Sequence, residues 1–149
     1  MKLFLNCLIL SVSFILYQSV QQKDIKVIKE FIVASSAKKT DTKAMLNKYF
    51  PARYEKQREK KLAKTRDSVH TAVINSIHDK LQGKDLSKLT ITPYEKLPKG
   101  EINIAPVPGS QIYIVKYNNT KVFSALMNKN ELMSVITLSK GGFNMLLTL

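Results

Sequence analysis

Apolar and polar positions repeat with two different periods along this chain of 149 residues, and the change of period divides it. Between Gln21 and about Ala34 the apolar residues Ile25, Ile28, Phe31 and Ile32 return every three or four positions, with lysines at 23, 26 and 29 between them. That spacing predicts an amphipathic helix. Ser35-Ser36 interrupts the pattern, and Thr40-Asp41 supplies an N-cap for a short second helix with Met45, Leu46, Tyr49 and Phe50. Pro51 stops that helix or starts the next. From about Ala52 to Gln82 there is no Pro or Gly, and Leu62, Val69, Val73, Ile77 and Leu81 form a stripe at helical spacing. A long third helix follows, with Gly83 as its C-terminal stop.

Beyond Gly83 the period falls to two. Lys88 to Tyr94 and Glu101 to Ile104 alternate between proline-containing turns and read as short or edge strands. Four β-rich runs close the chain: Gln111 to Tyr117, Thr120 to Met127, Glu131 to Leu138 and Phe143 to Leu149. Asn118-Asn119 suits a two-residue hairpin turn because Asn tolerates positive φ. Asn128 to Asn130 and Ser139 to Gly142 connect the remaining runs into an antiparallel meander. Pairing Tyr117 with Thr120 and Met127 with Glu131 puts Tyr113, Val115, Tyr117, Ser124, Leu126 and Ser134 on one face. The other face, with Ile112, Ile114, Phe123, Ala125 and Met127, is apolar as well. An α+β fold is therefore expected, with N-terminal helices packed on a curved, cone-like C-terminal meander sheet. The second apolar face calls for another layer, for cover by the early strands, or for a second subunit in a homodimer.

The first 19 residues differ from the rest. Met1-Lys2 is followed by the mostly apolar run Leu3 to Tyr17, then Gln18 and Ser19. This reads as a signal peptide over residues 1–19, with 20–149 as a single α+β domain that is periplasmic or secreted from a bacterial cell. The alternative is an uncleaved membrane anchor, for which the run is short. Cys7, the one cysteine, lies inside the leader, so the domain has no thiol for a disulfide, a metal or a nucleophile.

Charge narrows the partners. There are 24 Lys and Arg against 11 Asp and Glu, a formal net charge of +13, and nearly all of it belongs to the domain. Export argues against nucleic acid and leaves anionic lipid or polysaccharide of the envelope. Arg53, Lys56, Lys60 and Lys64 recur at helical steps and form the candidate patch for such a partner, although an exposed helix face has the same composition.

Catalytic chemistry is scarce. The meander carries Lys116, Lys121 and Glu131 but no facing acid and base, and no catalytic residue is predicted. His70 and His78 are eight residues apart, wrong for a helical metal pair, so no metal or cofactor is expected. An enzyme would have to draw on Asp24, Asp41, Asp67, His70 or Asp79. Tyr113, Tyr117, Ser124 and Ser134 combine hydroxyls with an apolar surround and form a candidate pocket for a small apolar ligand, the same residues being equally suited to a core.

Three helices, a short strand excursion and a long meander resemble the nuclear-transport-factor-two-like fold over roughly residues 21–149. A cystatin-like arrangement is the neighbouring alternative. The stretch QIYIVKYNNTKVFSALMNKNELMSVITLSKGGFNMLL is also similar to small exported bacterial proteins of uncharacterised function. The resemblance implies a curved sheet around helices. Enzymes of the first class use Asp or His inside the cone, which this sheet lacks, so a non-enzymatic binding domain is expected.

Overall fold

A computed structural model describes residues 2–50, 60–100, 102, 104–105, 107–140 and 143–146. The side chains of residues 2–17, 60–67, 138–140, 143 and 145 lie outside that description, and with them Cys7 and the apolar run of the leader. Among the described residues no helix is long and apolar enough to cross a membrane.

Three helices form where the 3.6 period holds: α1 (Lys2–Ser36), α2 (Thr42–Tyr49) and α3 (Lys60–Leu81). Helix α1 runs through Ser19 without a break, and its buried stripe is Gln21, Asp24, Ile28, Phe31, Ile32 and Ser35. Helix α2 starts where expected, with Asp41 Oδ1 accepting from the Ala44 N–H at 2.9 Å. Helix α3 buries His70, Ile74, Ile77 and Leu81. Its core stripe is thus rotated from the expected one, with Val69 and Val73 only half-buried at its border. Gly83 follows with φ 70°, a left-handed stop that costs glycine nothing sterically.

Strands β1 (Leu89–Pro93), β2 (Gln111–Tyr117), β3 (Thr120–Asn128) and β4 (Glu131–Ser134) form an antiparallel sheet in that order. Asn118 and Asn119 both take positive φ, as do Lys129 and Asn130, the backbone of two-residue turns that match strand twist. Of the expected run 101–104, the described residue Ile104 makes an isolated bridge with Asn144, while 101 and 103 lie outside the described residues.

Two irregularities change the expected pairing. Val115 pairs with Phe123 but Lys116 with Lys121, so Val122 is left over as a bulge. Leu126 pairs with Ser134 but Met127 with Leu132, which leaves Met133 over. The bulge at Val122 brings Phe123, Ala125 and Met127 onto the face of Tyr113 and Val115, and this face packs on the helices. The third run is also not one strand. The Ser134 hydroxyl accepts the Ile136 N–H at 3.0 Å, pairing ends there, and β5 (Thr137–Lys140) and β6 (Phe143–Leu146) make a separate hairpin.

That hairpin and the excursion after β1 form the second layer. Ile112, Ile114 and Leu126 on the far face bury themselves against Ile104 and Leu146, with Leu97 and Val107 packed alongside. The second apolar face is thus filled within the chain, and it gives no ground for a second subunit. On the near face Phe31 is the hub: its ring meets Tyr49 at 5.2 Å, Phe123 at 5.8 Å and Phe50 at 6.0 Å between centroids, all edge-on. It is fully buried and ties α1 to α2 and to the sheet. Truncation of such a residue costs about 3–5 kcal/mol. Phe31→Ala is therefore expected to lower unfolding free energy by about that amount, read from the urea midpoint at unchanged m-value.

Candidate functional site

The four residues of the candidate pocket do not share a surface. Tyr113 and Tyr117 belong to the helix side of the sheet, whereas Ser124 faces the other side opposite Ile114, and Ser134 does so opposite Leu126. The bulge at Val122 is the cause, because it reverses the facing of β3 relative to an unbulged hairpin. Tyr113, Ser124 and Ser134 are fully buried, and Tyr117 is half-buried with the Lys84 ammonium 4.9 Å from its ring centroid. They are core and boundary residues of two packed layers. Ser124 Oγ is buried with no hydrogen-bond partner, and a buried unpaired hydroxyl costs about 1–3 kcal/mol. Ser124→Ala is expected to keep the fold and raise its stability by about 1 kcal/mol in thermal or chemical melts.

The expected basic patch is only partly within view. Arg53 and Lys56 lie outside the described residues, and Lys60 and Lys64 stand on the first turns of α3 with side chains that also lie outside them. Of the acids and histidines considered for catalysis, Asp41 caps α2, Asp79 is exposed, and the Asp67 side chain lies outside the description. His70 is buried with its ring 4.4 Å from that of Phe50. His78 Nδ1 lies 2.9 Å from the Ser35 carbonyl oxygen, which only accepts, so this nitrogen carries the proton and closes the C-terminus of α1. Thr40 Oγ1 lies 3.1 Å from the same nitrogen and bonds the carbonyls of Ser35 and Ala37. Among the described residues there is no group of His, Cys, Asp and Glu able to hold a metal.

Asp24, the first of the acids on which an enzyme would have to draw, is the one the structure places in a polar cluster within the core. It lies in the buried stripe of α1, and the Tyr113 hydroxyl donates to its Oδ2 at 3.0 Å. Gln111 Oε1, 2.8 Å from the same hydroxyl, is a second acceptor for its single proton. One turn earlier Gln21 donates to Glu95 at 3.2 Å and accepts from Lys96 at 3.4 Å, joining α1 to the 3-10 turn Tyr94–Lys96. Asp24 Oδ1 has no hydrogen-bond partner. Burial holds this carboxyl above its ordinary value of 3.8, against the opposing pull of the Tyr113 hydroxyl. A carboxyl raised by folding stabilises fully below its unfolded pKa, and that contribution is lost as pH rises through the folded pKa. Asp24→Asn is expected to flatten this dependence, so that the stability of the variant relative to the parent increases from pH 4 towards pH 7 in parallel urea titrations.

A concave surface lies elsewhere, between α1 and α2. It is an open groove of about 730 Å³. Its floor is Ile25, Val33, Ala34 and Tyr49, and its rim carries Lys26, Lys29 and Lys48 with Glu30. These α1 positions recur at three- and four-residue steps, just as the buried stripe does, but on a different face. Val33 is 61% exposed, an unusual position for a large aliphatic residue in a helix that also fills the core. Lys48 sits 3.6 Å from Glu30 and 4.8 Å from the centre of the Tyr49 ring. An apolar floor within a ring of ammonium groups is matched to a partner that is apolar and anionic at once.

No protein family, curated protein or solved structure matches the chain.

Proposed function

We propose that this protein is an exported, non-enzymatic binding module of a bacterial envelope that engages an anionic lipid surface through the groove between α1 and α2. The observation that carries this reading is the pairing of Ile25, Val33, Ala34 and Tyr49 with Lys26, Lys29 and Lys48 in one open depression. Polysaccharide would match the charge but leave the apolar floor without a partner. A small ligand inside the sheet is less well supported, because the residues reserved for it divide between two packed layers.

The leader supports export, and its place at the start of α1 would bring the groove close to the membrane during transit. Lysines near an anionic bilayer contribute about 1 kcal/mol each, and the attraction is screened over about 8 Å at physiological salt. Vesicle flotation tests the reading. The protein is expected to float with vesicles containing phosphatidylglycerol and to release in high salt. The double variant K26E/K29E is expected to lose about two orders of magnitude in affinity while keeping its melting curve. Retention unchanged by salt or by that double variant would refute it.

A further inference from the structure

The rim of the groove carries a carboxylate among its ammonium groups. Glu30 follows Lys29 on α1 and lines the same depression, where an acid works against an anionic partner. Lys26 lies one turn earlier on the same helix, but a lysine N-terminal to a glutamate is the weaker order for such a pair. Glu30 Oε2 instead reaches Lys48 Nζ on α2 at 3.6 Å, and the pair bridges the two helices that wall the groove.

The fold does not need this bridge. Phe31 already joins the helices through Tyr49 and Phe50 in the core. The side chains of Lys48 and Glu30 are 62% and 47% exposed, and exposed pairs add little to stability. Nor does Lys48 depend on the bridge for its place. Its ammonium lies 4.8 Å from the centre of the Tyr49 ring, which is buried and packed edge-on against Phe31. A fixed aromatic face thus holds the cation at the groove with or without Glu30. What Glu30 adds is occupancy of that charge.

We propose that Glu30 is the selectivity residue of the groove, an internal counter-ion that a bilayer must displace from Lys48, so that a densely anionic surface is bound in preference to a sparse one. The inference rests on the reading of the groove as a lipid-binding surface. While the pair is closed, Glu30 and Lys48 cancel, and the attraction comes from Lys26 and Lys29. A headgroup phosphate then competes with the carboxylate for Lys48, exchanging one charge-assisted contact for another. A sparse surface gains little from that exchange, because Glu30 is always at hand. A dense one presents a phosphate wherever the ammonium points.

The test is flotation of the full chain with phosphatidylcholine vesicles of graded phosphatidylglycerol content, in a double-mutant cycle over Glu30→Gln and Lys48→Met. Glu30→Gln is expected to tighten binding about fivefold or more and to lower the phosphatidylglycerol fraction at half-maximal flotation, with the thermal midpoint unchanged. Lys48→Met is expected to change affinity by less than about twofold in the parent and to weaken it about fivefold in the Glu30→Gln background, where the charge is free. An equal cost of Lys48→Met in both backgrounds makes Glu30 a plain rim charge and overturns the inference; the groove reading stands if K26E/K29E still loses its affinity. A lowered midpoint in Glu30→Gln at unchanged affinity gives the pair a structural role and also overturns it. Flotation that is absent in the parent and Glu30→Gln alike, or indifferent to K26E/K29E, overturns the groove reading and this inference with it.

Discussion

One unpaired residue governs how the layers of this fold meet. Strand β3 enters from a tight Asn-Asn turn, and without Val122 as a bulge Phe123 and Met127 would face away from Tyr113. With it, Phe123 reaches the ring of Phe31, Met127 joins the helix-side core, and Ser124 and Leu126 turn to the other layer. The carbonyl of Val122 also accepts from Lys80 of α3. Packing on both faces of the sheet, and a tie between α3 and the β2–β3 hairpin, therefore descend from a single break in register.

Much of the fold is legible in residue patterns because the physics behind it is local. Asp41 caps α2 through its own side chain, Gly83 ends α3 at positive φ, and Asn118-Asn119 turns the hairpin. Each depends on the conformational preference of one or two residues. The α+β class follows from the change of hydrophobic period, and a layer over the second face follows from the excess of apolar residues in the meander. The bulge is different. Lys121, Val122 and Phe123 all suit a regular strand, and what decides among registers is the fit of distant surfaces, which no short stretch records. The four hydroxyl residues were grouped on an unbroken ladder, and the grouping dissolves once the ladder steps.

The same distinction holds for the candidate sites. The apolar repeat of the first helix is carried by Ile25, Ile28, Phe31 and Ile32, and nothing in it marks Gln21 and Asp24 as buried. Their burial depends on Tyr113 and the 3-10 turn after β1, which stand 89 and 74 residues away in the hydrogen bonds concerned. The groove is likewise an arrangement of two helices, and the lysines at 26 and 29 acquire meaning only once Lys48 and Tyr49 are placed opposite them. Net charge is compatible with an anionic partner; only tertiary contact offers a place for one.

The layer over the far face is made from two pieces that flank β2 and β3 in the chain, the excursion after β1 and the β5–β6 hairpin. Ile112, Ile114 and Leu126 must therefore wait for residues that leave the ribosome after them. Until Leu146 has emerged, the nascent domain presents one finished face and one bare apolar face. Vulnerability to aggregation is concentrated in that interval of synthesis, and a chaperone that holds the chain would have its natural hold there.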